Sequence, residues 1–316
     1  MSTVKNYLSL IKFSHTIFAM PFAMIGFFLG LSYNPIFAFN YLSTSKSGWH
    51  TTIGMNNYYS MPLSGTAIII KFILVLICMI TARSAAMAFN RYLDRNFDAK
   101  NPRTAIREIP AGIISANSAL LFTILSCILF LITCFFVNTL CLALAPVALF
   151  VILFYSYTKR FTALCHLVLG LGLSLAPIGA YLAVTGEFAL LPVLFSFTVL
   201  FWVSGFDIIY ALQDEDFDKS QQLHSIPAAL GKARALRVSE LLHLLAAACV
   251  ITAGVYGHFS LSYWIGVGVF IGMLIYQHSI VKPTDLRRVN IAFMTANGIA
   301  SVVFAVFVLL DIFIHH

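Results

Sequence analysis

Two short stretches hold most of the oxygen ligands in a chain with few acids. One reads Asn90-Arg-Tyr-Leu-Asp94-Arg-Asn-Phe-Asp98, the other Tyr210-Ala-Leu-Gln-Asp214-Glu-Asp-Phe-Asp218. With Glu108 and Asp207 beside them, these windows contain eight of the twelve acidic residues. Each holds a D-x3-D pair preceded four residues earlier by Asn90 or Tyr210. Spacing of i, i+4, i+8 keeps the ligands near one face of a helix. Each window is followed by Ile-Pro-Ala, at 109–111 and at 226–228, so the pair reads as an internal pseudo-repeat with a period near 120 residues. Carboxylate and amide oxygens are hard ligands, which favours Mg²⁺ over zinc. Mg²⁺ held by one or two carboxylates completes its shell with water and substrate phosphate. The plainer alternative is a pair of solvated, acidic loops.

Cations stand beside the acids. Arg103 and Arg107 follow the first motif, and Tyr155-x3-Lys159-Arg160 ends an apolar run. Acids for a metal plus Arg and Lys for phosphate oxygens describe a diphosphate site. Flanking charge at the end of a membrane helix is the alternative for Lys159 and Arg160. Arg83 lies seven residues before Asn90, on the same helical face, inside an apolar stretch. An arginine there either serves function or pairs with an acid such as Asp98 or Asp207.

The elements that position these residues are membrane helices. Of 316 residues, 60% are hydrophobic and 10% charged, with a mean hydropathy of +0.91. Soluble domains carry about 25% charged residues, so this composition excludes a soluble enzyme, a disordered chain and a nucleic-acid binder. Apolar stretches long enough to span a bilayer fall at about 15–33, 66–89, 117–136, 138–157, 162–185, 188–210, 236–256, 260–279 and 290–313. The expected fold class is therefore all-α, a single polytopic unit over 1–316 with nine transmembrane helices, capped by the loops 90–116 and 211–235. No cleavage site follows the first apolar run, so that run is expected to stay as a helix. With the N-terminus inside, 16 of the 19 Lys and Arg lie on the inner side, and only Lys46 lies outside. The positive-inside rule then puts the N-terminus in the cytoplasm and, with nine spans, the C-terminus in the periplasm. The net charge of +7 is a topology signal, not a polyanion footprint.

All six cysteines lie in or at the ends of apolar spans, without a CxxC pair. Cys127, Cys134 and Cys141 are seven residues apart, but a turn between the last two argues for packing over metal binding. Gly26-x3-Gly30 is a close-packing motif.

These motifs together resemble the UbiA superfamily of intramembrane aromatic prenyltransferases. The likeness rests on Asn90-x3-Asp94-x3-Asp98, Tyr155-x3-Lys159 and Asp214-x3-Asp218, and it extends over nearly the whole chain. Longer strings, Ala-Met-Ala-Phe-Asn90-Arg, Asp98-Ala-Lys-Asn-Pro-Arg103-Thr, Tyr210-Ala-Leu-Gln-Asp214 and Leu-His224-Ser-Ile-Pro227, are similar to the bacterial 4-hydroxybenzoate polyprenyltransferase-like branch. Some of that branch serve menaquinone synthesis by the futalosine route. The segment 34–65 is longer than the resemblance leads one to expect, and its role is open.

The resemblance implies a bundle in the bacterial inner membrane with a central cavity open to lipid. It implies two Mg²⁺ ions, one near Asn90 and Asp94 with Asp98 in support, the other near Asp214 and Asp218. Arg103, Arg107, Tyr155 and Lys159 would grip the diphosphate of a polyprenyl donor. Asp207, seven residues before Asp214, would orient or deprotonate an aromatic acid acceptor. Lys12, Arg83 and His224 are the candidates to meet that acceptor. His15 falls in a similar string, where a structural role is the alternative.

The chemistry fits a membrane site. Breaking an allylic C–O bond builds negative charge on diphosphate, which metal ions and Arg or Lys stabilise. Aromatic walls stabilise the allylic cation, and a dry cavity keeps water from quenching it. The acceptor is expected to be 4-hydroxybenzoate, a naphthoate-type ring, or another ring such as haem or a chlorophyll precursor. A cation-coupled transporter is the rival class, although both acid motifs lie at one membrane surface while transporter sites lie near the midplane. A structural membrane protein is the third reading, and it needs no clustered acids. Tail length, acceptor identity and oligomeric state are not fixed by these residues.

Overall fold

Local signals set the helix ends. Ser64 accepts the backbone N–H of Ala67, and Ser115 that of Ser118, so each caps the helix that follows it. Asn138 alone separates two spans, accepting from Cys141 N–H and donating to the Leu182 carbonyl at 2.8 Å each. Gly186, at φ 72°, closes another span in the left-handed region that favours glycine.

The computed structural model describes residues 3–11, 18–32 and 64–315. The helices are α1 (Thr3–Leu10), α2 (Met20–Ser32), α3 (Gly65–Lys100), α4 (Ala116–Val137), α5 (Thr139–Thr158), α6 (Cys165–Thr185), α7 (Leu190–Ala211), α8 (Glu215–Ser220), α9 (Ile226–Leu230), α10 (Lys232–Tyr256), α11 (Leu261–Ile280) and α12 (Asn297–His315). No β-strand occurs among the described residues. Among the described residues, eight helices are long and apolar enough to cross a membrane. Where the first of the nine expected spans falls, the described residues hold α2, an apolar helix of 13 residues that is not among these eight, and the residues on either side of 18–32 lie outside the described set. Most of segment 34–65 lies outside it too.

Helix α3 packs on α4 and α5, α5 on α6, α6 on α7, α7 on α10, α10 on α11 and α11 on α12. Helix α2 closes the arrangement between α6 and α12. The Gly26-x3-Gly30 motif is used as expected. A Cβ on Gly26 would lie 2.0 Å from the Pro177 carbonyl oxygen of α6, and one on Gly30 would press on Val184. Burial is densest around Phe22, Trp202, Phe270 and Phe304, where α2, α7, α11 and α12 meet. The opposite surfaces carry exposed Leu121, Ile128, Phe135 and Phe136 on α4, an apolar exterior that only lipid can cover. The chain is an integral membrane protein.

One span departs from regular helix. Residues Ile291–Ala296 form a π-helix that runs into α12. Asn297 supports it, donating to the Ala292 and Phe293 carbonyls while its own oxygen accepts from Trp202 Nε1 and Gln277 Nε2, both at 2.8 Å. Such turns recur at functional sites. This one sets Phe293 against Tyr210, with ring centroids 4.3 Å apart.

Candidate active site at one end of the bundle

Helix α3 runs unbroken through the first motif, so Asn90, Asp94 and Asp98 share one face as their spacing predicts. The second motif is built differently. Helix α7 stops at Ala211, a 3₁₀ turn covers Leu212–Asp214, and α8 starts at Glu215. A tighter turn therefore lies between Asp207 and Asp218. The Ile-Pro-Ala repeats also diverge. Ser225 accepts the Ala228 N–H and starts α9, whereas the Glu108 carbonyl accepts both Ile113 and Ile114 N–H groups and holds 109–111 in a turn.

The two motifs meet through the cations between them. Asp94 is 2% exposed, buried rather than wet. Its carboxylate contacts Lys159 Nζ at 2.9 Å and Arg160 Nη2 at 3.3 Å, and accepts from Asn90 Nδ2 at 3.1 Å. Arg160 also bonds the Leu93 and Ser156 carbonyls and lies over Tyr157. Lys159 is within electrostatic reach of Asp218 as well. Arg103 grips Asp214 with two nitrogens, donates to Tyr210 Oη at 2.9 Å and lies over the Tyr210 ring. Burial pulls the Arg103 pKa down, and Asp214 and Tyr210 more than offset this, leaving it raised. Asn101 donates to Asp214 at 3.3 Å, and Lys100 to Gln221 at 3.3 Å. Arg107 pairs with Asp98 at 2.7 Å, while Asp98 Oδ2 is buried and has no hydrogen-bond partner among the described residues. Asp218 accepts from Ser225 Oγ at 2.8 Å.

Among the described residues no three Asp, Glu, His or Cys side chains converge as a ready-made metal cage. Magnesium does not need one, since it keeps several waters and takes one or two carboxylates plus substrate phosphate. The donor set is all oxygen, and the orphaned Asp98 Oδ2 is an acceptor with capacity to spare. These residues fit such an ion.

Toward the far end of the bundle, a cavity of about 400 Å³ lies between α3, α4, α5 and α6. Val75, Phe130, Ala145, Ile152 and Leu173 line it, and Arg83 and Tyr155 bring polar atoms to its wall. Its lining on α5 runs from Cys141 to Tyr155, about 21 Å along a helix. Cys78 and Cys134 also line it, with sulfurs 3.8 Å apart.

Other sequence candidates fall elsewhere. Asp98 and Asp207 are bonded to Arg107 and His166, so neither is the ion-pair partner of Arg83 that the spacing suggested. His224 is exposed, and its backbone, not its ring, ties the Lys159 carbonyl and the Cys165 thiol. Lys12 and His15 lie outside the described residues. Arg160, weighed from sequence between phosphate binding and flanking charge, bonds Asp94. Two residues were not singled out from sequence. Arg91 reads as topology charge, yet it is 4% exposed, within reach of Asp98 and Arg107. His166 is a lone histidine at the start of an apolar span, with no motif around it. Its Nδ1 lies 2.7 Å from Asp207 Oδ2.

The UbiA prenyltransferase family matches residues 48–299. The 4-hydroxybenzoate octaprenyltransferase of Nitrosospira multiformis is 31% identical over 243 residues, 77% of this chain and 82% of that one. The enzyme of that name from Tolumonas auensis is 30% identical over 71% of this chain and 78% of its own. Among solved structures, the apo UbiA homologue from Aeropyrum pernix K1 superposes with a TM-score of 0.72 at 26% identity, covering 95% of this chain and 97% of that one. A UbiA homologue from Archaeoglobus fulgidus bound to DMAPP and Mg²⁺ shares the fold at 18% identity, with a TM-score of 0.71 over 98% and 99% of the two chains. With a family match over most of its length and acid motifs that meet at one end of its helices, the chain belongs to the UbiA prenyltransferase family.

Proposed function

We propose that this enzyme transfers a polyprenyl group from polyprenyl diphosphate to an aromatic acid, of the 4-hydroxybenzoate or naphthoate type, in quinone biosynthesis. The observation that carries the reading is the set of cations on the two acid motifs at one end of the bundle, Lys159 and Arg160 on Asp94 and Arg103 on Asp214, with an apolar cavity in the same bundle whose wall reaches Tyr155, one helical turn from Lys159. Relatives named 4-hydroxybenzoate octaprenyltransferase support the acceptor class. The basic residues clustered at this end favour the cytoplasmic side.

The diphosphate belongs among the cations. Arg103, Arg107, Lys159 and Arg160 bind its oxygens and stabilise the negative charge that grows as the allylic C–O bond breaks and its electron pair leaves with diphosphate. Asn90, Asp94, Asp98, Asp214 and Asp218 would hold Mg²⁺, which when bound would neutralise charge on the leaving group. The apolar cavity takes the tail and excludes water from the allylic carbon. Tyr155 and Arg83 sit where tail and head meet. Asp207 faces the acceptor, orienting its hydroxyl or taking the proton released when the ring carbon forms the new C–C bond.

The test is transfer of a radiolabelled polyprenyl diphosphate to 4-hydroxybenzoate by purified protein in lipid, with and without Mg²⁺. A Mg²⁺-dependent prenylated product is expected. Hydrolysis alone, or no turnover with either acceptor type, would overturn the reading.

A further inference from the structure

The half-buried carboxylate Asp207 is held by a chain of contacts that ends at the second acid motif. Asp218 accepts from Ser225 Oγ at 2.8 Å. The next residue, Ile226, donates its backbone N–H to His166 Nε2 at 3.3 Å. His166 Nδ1 lies 2.7 Å from Asp207 Oδ2. These bonds fix the ring's tautomer. A nitrogen that accepts an N–H carries a lone pair, so Nε2 is bare and Nδ1 holds the proton and donates it to Asp207. The ring cannot drift, since it is 3% exposed and its own carbonyl accepts from Ser204 Oγ at 3.1 Å. Helix α6 is pressed to α7 just beyond, where a Cβ on Gly170 would lie 2.4 Å from the Leu200 carbonyl oxygen.

We infer that His166 is a positioning residue for prenyl transfer, a fixed donor that occupies Oδ2 of Asp207 and presents Oδ1 to the acceptor. Among the described residues no hydrogen bond to Oδ1 is made, and the Asp207 side chain retains 24% exposure. Its orientation is tied through Ile226 and Ser225 to Asp218. A shift of the second acid motif is therefore felt at the acceptor carboxylate, 11 residues earlier in sequence and across the helix break at Leu212–Asp214. The inference rests on Asp207 acting on the acceptor, as proposed above.

The test uses full-length protein in lipid nanodiscs, with rates measured against donor and acceptor separately. His166→Leu is expected to lower kcat on the order of 10- to 100-fold, the usual effect of losing a group that orients a functional side chain. The KM for polyprenyl diphosphate should stay within about twofold. His166→Asn, whose Nδ2 stands in the place of Nδ1 and donates to Asp207, should restore most of the rate, and His166→Gln, whose nitrogen stands in the place of Nε2, should not. In an Asp207→Asn background, His166→Leu should add almost nothing, because both act through one carboxylate. Wild-type kcat in His166→Leu, equal rates for Gln and Asn, or losses that multiply in the double variant would each overturn the inference. Should His166→Leu fail to fold, the Gln and Asn variants at matched thermal stability decide it. No prenyl transfer by the wild type would refute the reaction itself, and the inference with it.

Discussion

Replacing Asp94 by asparagine tests how the site is held before substrate arrives. The carboxylate is 2% exposed and contacts Lys159 at 2.9 Å and Arg160 at 3.3 Å. Asparagine keeps the shape and one acceptor but removes the charge, leaving two cations without their anion. Breaking a fully buried pair costs about 3–5 kcal/mol. Here Lys159 and Arg160 keep 31% and 27% of their side chains exposed, so solvent takes over part of the lost interaction. Screening brings the expected cost to about 1–3 kcal/mol. At about 2–4 °C per kcal/mol, Asp94→Asn should melt several degrees lower than wild type in the absence of substrate. The second half of the expectation concerns ligand. A ligand at 100 times its Kd stabilises by about 2.7 kcal/mol, so Mg²⁺ with a prenyl diphosphate should raise the wild-type Tm. In the variant this increment should vanish along with turnover. Thermal shift of both proteins, each with and without Mg²⁺ and prenyl diphosphate, measures both halves. A variant that melts like wild type and keeps the full Mg²⁺-dependent increment would refute both the ion-pair account and the metal role.

Three further expectations follow from particular contacts. Asp207→Asn should lose turnover far more than prenyl-diphosphate affinity, read as a fall in single-turnover rate with donor binding near normal; near-normal turnover would remove Asp207 from the mechanism. Gly26→Ala should lower thermal stability by about 1–3 kcal/mol, because its methyl meets the Pro177 carbonyl oxygen, and a Tm equal to wild type would contradict that packing. Asp311→Asn should cost about 1–2 kcal/mol of stability without changing kcat. Its carboxylate caps the start of α11, accepting from Ser260 N–H and Oγ and from Tyr263 N–H, far from the acid motifs; a large kcat loss at matched stability would place it in the reaction instead.

What the sequence revealed and what it hid divide along physical lines. Hydrophobic length reports helices directly, and the i, i+4 spacing of Asn90, Asp94 and Asp98 holds because α3 does not break there. The second motif is less regular, and nothing in Tyr210-Ala-Leu-Gln-Asp214 announces the 3₁₀ turn at Leu212–Asp214. His166 escaped notice because its partners are on α7 and α9, 41 and 60 residues away. No local pattern encodes such pairings. His224 was conspicuous because it sits in a recognisable string, yet that string works through its backbone. Arg91 entered the sequence reading only as one charge in a count, and a count of charges cannot tell a buried guanidinium from a solvated one.

Helix α3 has a consequence for where in the membrane the reaction takes place. Its 36 residues make a rod of about 54 Å, against a hydrocarbon core of about 30 Å. If the rod enters lipid near Gly65, the core ends close to Arg83, and Asn90, Asp94 and Asp98 stand beyond it on the same rigid shaft. One uninterrupted helix thus acts as a depth gauge. On the function proposed above, it sets the charged head of the donor at the level of the lipid headgroups while its tail lies at the level of the acyl chains. Neither part of the substrate leaves the stratum it already occupies in the bilayer. The enzyme is spared the several kcal/mol needed to carry charge toward the membrane centre, and the new bond forms at the boundary between the two layers.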